Sequence, residues 1–260
     1  MSDQTIIELF GRIIKPGRAM FQALVEGLFP RSCIFCGGTR DGSGDFLCGI
    51  CRNEIRFIRP PFCHCCGVPA EIDYDYPHPD FECGLCRKKT FAFDRARSMA
   101  PYDTVLRGLI HHLKYQKQPG VISEITPMLG DYFKGLEESW EEFYVSPVPL
   151  HIRKMRERTF DQSFLIARQV ARVLRLPLAN GLLRRVRETE PQAKKTKGER
   201  GKNIQGAFQV NREELGKGKK ILLVDDVFTT GATLHEASRV LKRAGAERVH
   251  VFTLARVLIH

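Results

Sequence analysis

The chain has 260 residues, 43% of them hydrophobic, and a formal net charge of +11. That length and apolar content provide a genuine core, in one large domain or two smaller ones, while no stretch is long and apolar enough to span a bilayer. The charge favours anionic partners such as nucleotides, phosphosugars or nucleic acid without choosing among them, and a solvated basic surface accounts for it equally well.

The N-terminal stretch IIELFGRIIKPGRAMFQALVEGLF has apolar residues at helical spacing, interrupted by Arg12, Lys15, Pro16 and Arg18. It lacks the continuous apolar region and small-residue cleavage site of a signal peptide. The spacing predicts one or two short amphipathic helices that dock onto the protein, and a cytoplasmic location is the default expectation.

The nine cysteines all lie between Cys33 and Cys86. Eight form C-x-x-C pairs: Cys33/Cys36, Cys48/Cys51, Cys63/Cys66 and Cys83/Cys86. Each pair can offer two thiolates from a tight knuckle, and two knuckles make a tetrahedral four-sulfur zinc site. Disulfides compete with this reading, but the lack of a signal peptide and the cysteine-free remainder argue against an oxidising compartment. Two structural zinc ions are therefore expected. Spacing alone does not decide whether the pairs combine consecutively or interleave; consecutive pairing is the expectation. Cys65, beside His64 in CHCC, is left over, a spare ligand or a structural neighbour.

From Phe91, FAFDRARSMAPY alternates as a strand does, and TVLRGLIHHLKYQ has amphipathic helical spacing. His111 and His112 fall at the basic end of that helix and read as surface residues. A further helix is expected within Val121 to Phe133, broken or kinked at Pro127. FYVSPVPL reads as a buried strand running into a Pro-punctuated loop, and FDQSFLIARQVARVL as a helix capped by Asp161 or Ser163. After a very basic loop, KNIQGAFQV is a candidate strand. Finally ILLV, ATLHEASRVLKRAG and RVHVFTLA form a strand, a helix closed by Gly245, and a second strand. That βαβ unit implies a parallel sheet with a right-handed crossover.

The chemistry concentrates in ILLVDDVFTTGATL, Ile221 to Leu234. In open α/β sheets ligands bind beyond the carboxyl ends of the strands, where Asp225 and Asp226 fall. The turn Thr229, Thr230, Gly231, Ala232, Thr233 opens the next helix, whose N-terminus favours phosphate; the hydroxyls add donors, and Gly231 permits close backbone approach. Paired carboxylates can accept hydrogen bonds from vicinal hydroxyls. The ligand so described is a ribose 5-phosphate. A helix-capping or solvated turn is the plain alternative.

The same stretch resembles the phosphoribosyl-pyrophosphate (PRPP) motif of type I phosphoribosyltransferases. Together with SPVPLHIRKMRERTFDQS, PQAKKTKGERGKNIQGAF and the four C-x-x-C pairs in this order, it is similar to the ComF family of competence-associated phosphoribosyltransferase-like proteins. The resemblance implies an α/β fold of type I phosphoribosyltransferase class, a parallel sheet flanked by helices, preceded by a small zinc-ribbon domain. The implied division is an amphipathic helical segment over 1–30, a double zinc ribbon over 31–90 and the phosphoribosyltransferase domain over 91–260.

Carried over, the resemblance makes Asp225 and Asp226 the ribose ligands and Thr229 to Thr233 the 5-phosphate loop. Pro147 to Leu150, with Val148 and Pro149 central and Arg153 nearby, become the pyrophosphate loop. Arg200, Asn203 and Gln192 match further family positions, with Arg200 a catalytic cation. Mg²⁺ is implied with PRPP. The family's R-G-F-N-Q reads Arg158, Thr159, Phe160, Asp161, Gln162 here, so a glycine position carries threonine and an asparagine position carries aspartate. Thr229 stands where purine-salvage relatives place an acid, which disfavours a purine acceptor.

Three functional readings follow: transfer of ribose 5-phosphate to an unidentified acceptor, a PRPP or nucleotide sensor, or an adaptor of DNA uptake that contacts single-stranded DNA or a helicase. The run Arg153, Lys154, Arg156, Arg158 is either pyrophosphate or nucleic-acid contact or solvated charge. Lys194, Lys195 and Lys197 sit on a loop over the site or form a nucleic-acid patch.

Overall fold

Residues 32–40, 42, 44–70, 81–188 and 204–258 are described by the computed structural model. The helical spacing within 1–30, and Gln192, Lys194, Lys195, Lys197, Arg200 and Asn203, lie outside the described residues. The chain divides into two units, Met1–Arg52 and Asn53–His260. In the first, the knuckle at Cys33 to Gly38 is closed by Gly37 N–H to the Cys33 carbonyl at 2.9 Å, and a short helix α1 (Gly49–Asn53) begins after Cys48.

The second unit opens with a matching knuckle at Cys63 to Gly67, followed by α2 (Gly84–Lys88). The chain then alternates strands and helices: β1 (Arg95–Pro101), α3 (Thr104–Tyr115), α4 (Val121–Lys134), β2 (Phe143–Pro147), α5 (Ile152–Arg158) and α6 (Gln162–Leu174). A small antiparallel pair, β3 (Leu183–Arg185) and β4 (Phe208–Val210), leads to β5 (Lys220–Phe228), α7 (Ala232–Arg243) and β6 (Arg248–Arg256).

Strands β1, β6, β5 and β2 form one parallel sheet in that order. The expected βαβ unit is present, with Ile221 opposite Val249 and Asp225 opposite Thr253. Runs such as ILLV suit this position because a parallel strand is covered on both faces. Alternate residues divide between those faces. Ile221, Leu223, Val249 and Val251 join a buried cluster with Leu234, Ala237 and Leu241 of α7. Leu222, Val224 and Phe252 are equally buried but outside that cluster, on the face where α6 packs against β5 and β2.

Several elements differ from their sequence reading. Strand β5 does not stop at ILLV but continues through both aspartates to Phe228, held in register by β6. Helix α4 runs unbroken through Pro127. Strand β1 is buried on both faces rather than alternating, and among the described residues of KNIQGAFQV, from Ile204 on, the strand covers only the three residues of β4. Gly245, at φ +92°, takes the residue after the Ala244 cap of α7, as expected. No helix among the described residues is long and apolar enough to cross a membrane.

Candidate functional site

The cysteines combine consecutively. Cys33, Cys36, Cys48 and Cys51 form one cluster and Cys63, Cys66, Cys83 and Cys86 another, the sulfurs of each lying within 4.8 Å of one another. A tetrahedral zinc ion with sulfurs at about 2.3 Å spaces them about 3.8 Å apart. The Cys36–Cys48 and Cys66–Cys83 sulfurs are 3.8 Å and 3.7 Å apart, and none of the cysteines is disulfide-bonded. Amide donors meet the sulfurs, with Gly38 N–H to Cys36 Sγ and Cys83 N–H to Cys63 Sγ, each at 3.4 Å. Both donor sets therefore fit Zn²⁺. Cys65 stands outside the clusters; burial pushes its thiol up, and its carbonyl accepts from the Ala96 amide at 2.7 Å.

At the carboxyl end of β5, two acids are braced from two helices, α3 and α6. Asp226, 6% exposed, accepts from Gln162 Nε2 at 3.1 Å and pairs with Lys114 Nζ at 2.8 Å. Asp225 Oδ1 accepts from Ser163 Oγ at 2.8 Å and from the Asp226 amide at 2.9 Å. Burial first, and then the adjacent Asp226, pushes Asp225 up to about 7. Burial alone would depress Lys114, but Asp226 and Asp225 outweigh it and hold the ammonium above the ordinary lysine range. Of the two expected caps for α6, Asp161 takes the role, accepting from Phe164 N–H at 3.1 Å, which leaves Ser163 to face Asp225.

Three residues further on, the chain turns sharply into α7. Gly231 caps that helix at φ +72°, and a Cβ placed there would meet Phe228 Cζ at 2.7 Å and Phe91 Cε1 at 2.9 Å. Only glycine satisfies both the backbone angle and the space. The helix begins at Ala232, and its first internal bond runs from His235 N–H to the Gly231 carbonyl at 2.7 Å. The Thr230 hydroxyl is buried without a hydrogen-bond partner among the described residues. A buried hydroxyl in this state beside the positive end of a helix suits an anionic acceptor.

A cavity of about 150 Å³ lies against these groups, lined by Asp225, Asp226, Thr233, Val148, Pro149 and Leu150. Its remaining wall is cationic: Lys114, Lys154, Arg158 and Arg185, with Gln162. Burial and then Arg185 and Arg158 hold Lys154 below the ordinary lysine range, the sign expected where like charges crowd. The loop is tied down by Val148 N–H to the Val224 carbonyl at 2.9 Å and by Leu150 N–H to Asp161 Oδ2 at 3.2 Å. Asp161 therefore holds two backbone donors, one on each side of α5. Thr159 adopts the left-handed conformation, φ +70°, at the end of α5.

The structure thus brings Asp225, Asp226, Thr233, Val148 and Pro149 to one cavity, with Thr229, Thr230, Gly231 and Ala232 forming the turn beside it. Arg153 is directed elsewhere, exposed and paired with Glu188 at 3.1 Å, while its neighbour Lys154 lines the cavity. Sequence reasoning missed Lys114, Lys154 as the inward cation of its run, and Arg185. For Lys114 a signal existed. It lies four residues after the buried Ile110, on the apolar stripe of α3, where a lysine demands a partner.

A parallel sheet with an acid pair and a glycine-turned helix start at one strand's end, in a chain bearing paired cysteine knuckles, defines a type I phosphoribosyltransferase fold preceded by a double zinc ribbon. Residues 161–258 match the phosphoribosyl transferase domain family and residues 24–87 the double zinc ribbon domain. Competence protein F of Haemophilus influenzae is 30% identical over 86% of this chain and 96% of its own length. The DNA utilization protein YhgH of Salmonella typhimurium is 31% identical over 82% and 91%. Among solved structures, the allosteric regulatory enzyme of purine biosynthesis is similar over 54% of this chain and 29% of its own, at 23% identity and a TM-score of 0.37. The chain belongs to the ComF family.

Proposed function

We propose that this protein binds PRPP and transfers its ribose 5-phosphate to an acceptor, in a role tied to DNA uptake. The observation that carries the reading is the braced pair Asp225–Asp226 at the mouth of a cation-walled cavity, one turn from the Gly231 helix start. In this reading the two carboxylates accept the ribose hydroxyls, charge-assisted bonds that fix the sugar. Thr229, Thr230, Gly231, Ala232 and Thr233 take the 5-phosphate at the N-terminus of α7. Val148 and Pro149 face the pyrophosphate, whose charge Lys154, Arg158 and Arg185 neutralise. Arg153, exposed and paired with Glu188, takes no part in this reading, while Arg200, carried over from the family pattern, would add a further cation.

The acceptor displaces pyrophosphate from the anomeric carbon: its lone pair forms the new bond as the C–O bond breaks, and the leaving pyrophosphate carries away the electron pair. The chain's contribution is positioning and preorganised charge. Mg²⁺ fits here as an ion arriving with the pyrophosphate, because the acid pair is already shared with Lys114, Gln162 and Ser163 and offers little as a stand-alone cage. When bound, it supplies further neutralisation of the leaving group. The relatives' names, competence protein F and DNA utilization protein, support the assignment to DNA uptake.

Calorimetry with PRPP and Mg²⁺, followed by pyrophosphate release in the presence of nucleobases, amines or single-stranded DNA, tests the reading. Binding that weakens in Asp226→Asn, and release that vanishes in the Asp225→Ala/Asp226→Ala variant, are expected. Binding without release under every acceptor condition would replace the transferase by a sensor, and unchanged affinity in Asp226→Asn would remove the ribose assignment.

A further inference from the structure

Arg256 ends β6 and is 4% exposed, yet no carboxylate among the described residues pairs with it. A buried guanidinium in that situation is costly unless another anion compensates it. Two of its donors go to the second knuckle: Nη1 reaches the Cys66 carbonyl at 2.6 Å and Nη2 reaches Cys66 Sγ at 3.4 Å, while Nε has no partner among the described residues. A zinc ion held by four thiolates carries a net double negative charge, which is the anion this guanidinium lacks. The other side of the same group lies 4.3 Å over the Phe228 ring. Phe228 is the ring on which Gly231 is seated, and its carbonyl accepts from Val257 N–H at 2.9 Å.

The knuckle is fixed to the sheet independently. Ala96 N–H donates to the Cys65 carbonyl at 2.7 Å, Arg97 Nη1 to the His64 carbonyl at 3.1 Å, and Gly67 packs so closely that a Cβ would lie 2.4 Å from the Ala96 carbonyl oxygen. Cys63, Cys66 and Cys86 share one buried cluster with Phe91, Phe93, Phe228 and Leu234.

We infer that Arg256 is the counter-cation of the second zinc centre, Cys63/Cys66/Cys83/Cys86, and that this centre, acting through Arg256 and Phe228, holds the Thr229–Gly231 turn in shape. Arg256 is then a positioning residue, and zinc occupancy at the second centre sets the order of the turn. That the turn receives a phosphate rests on the function proposed above; the link from zinc to turn does not.

The test uses the full chain and three readouts: zinc transfer to a chelator, hydrogen exchange of the amides from Phe228 to His235, and PRPP affinity. Outer residues around a metal site are worth roughly 10–100-fold in metal affinity. Arg256→Met is expected to lose zinc from the second centre with about that deficit and to speed exchange of the turn. Arg256→Lys, which keeps the charge without the fork, should recover part of the zinc affinity. Phe228→Leu should keep zinc while the turn exchanges faster, and Cys36→Ser should lose only the first zinc and leave the turn unchanged. Should Arg256→Met fail to fold, stepwise chelation of the wild-type chain reads the same coupling. Unaltered zinc affinity on removing the Arg256 charge, or a turn indifferent to loss of the second zinc, overturns the inference. If the zinc and exchange results hold while the wild-type chain ignores PRPP, the proposed function fails and this link stands.

Discussion

Lys114 Nζ and Asp226 Oδ2 meet at 2.8 Å across 112 residues of chain, the lysine on α3 and the aspartate on β5. The side chains are 18% and 8% exposed, so neither charge has water enough to stand alone. Breaking such a pair from one side leaves an uncompensated charge. Lys114→Met is therefore expected to destabilise the protein by about 3 kcal/mol. Lys114→Met combined with Asp226→Asn should be less destabilised than the two separate losses added together. Denaturant unfolding of the four proteins in a double-mutant cycle measures this, and additive losses would show that the pair does not couple.

Asp225 gives a pH dependence with a definite sign. Burial and Asp226 push its folded value up to about 7, while an unfolded aspartate titrates near 4. Between about pH 4 and pH 7 the folded chain keeps a proton that the unfolded chain has released, so stability falls as pH rises through that window. Asp225→Asn removes the contribution. The difference in unfolding free energy, wild type minus Asp225→Asn, should decline from about pH 4 to pH 7 and then level off. A flat difference, or one that rises, would contradict the assigned shift.

How much of this was legible in the sequence follows from the range over which each feature is encoded. The βαβ unit and the Asp225–Gly231 motif lie in a few dozen consecutive residues, and periodicity and turn chemistry report local geometry directly. The cysteine spacing was equally readable, since two knuckles need only a loop between them. The partners of the acids were not. Gln162 and Ser163 reach β5 because α6 packs against it, and Arg256 reaches Cys66 because β6 lies beside β1. Topology sets those meetings, and no local pattern announces them. The length of β5 was missed for the same reason, as the ladder with β6 carries it past two charged residues that read locally as a stop.

The two departures from the family's R-G-F-N-Q pattern act in opposite directions. Thr159 is β-branched and sits at φ +70°, a conformation that costs such a residue about 1–2 kcal/mol, whereas glycine gives back roughly 0.5–1 in unfolded-chain entropy. Thr159→Gly should thus stabilise by about 0.5–1 kcal/mol. Asp161 uses one oxygen for Phe164 N–H and the other for Leu150 N–H. In Asp161→Asn one of those donors faces an amide nitrogen, at an expected cost of about 1–2 kcal/mol. Unfolding midpoints of the two variants moving the same way would refute this account.

Gly231 is the position where fold and proposed site meet most tightly. Its φ of +72° excludes an unstrained side chain, and a Cβ would press on Phe228 Cζ at 2.7 Å and Phe91 Cε1 at 2.9 Å. Neither ring can yield cheaply. Phe91 stacks on Phe93 with centroids 4.6 Å apart, and Phe228 carries the Arg256 guanidinium on its face. Gly231→Ala should therefore cost about 1–3 kcal/mol of stability through backbone strain and the forced shift. The turn must open to admit the methyl group, which moves the start of α7 away from the cavity. PRPP affinity is expected to fall by more than tenfold while zinc content stays unchanged, because the strain lies on the turn and not at the thiolates. Calorimetry and metal analysis on the same preparation read both. A Gly231→Ala protein that binds PRPP as the wild type does would show that the turn is not the phosphate seat.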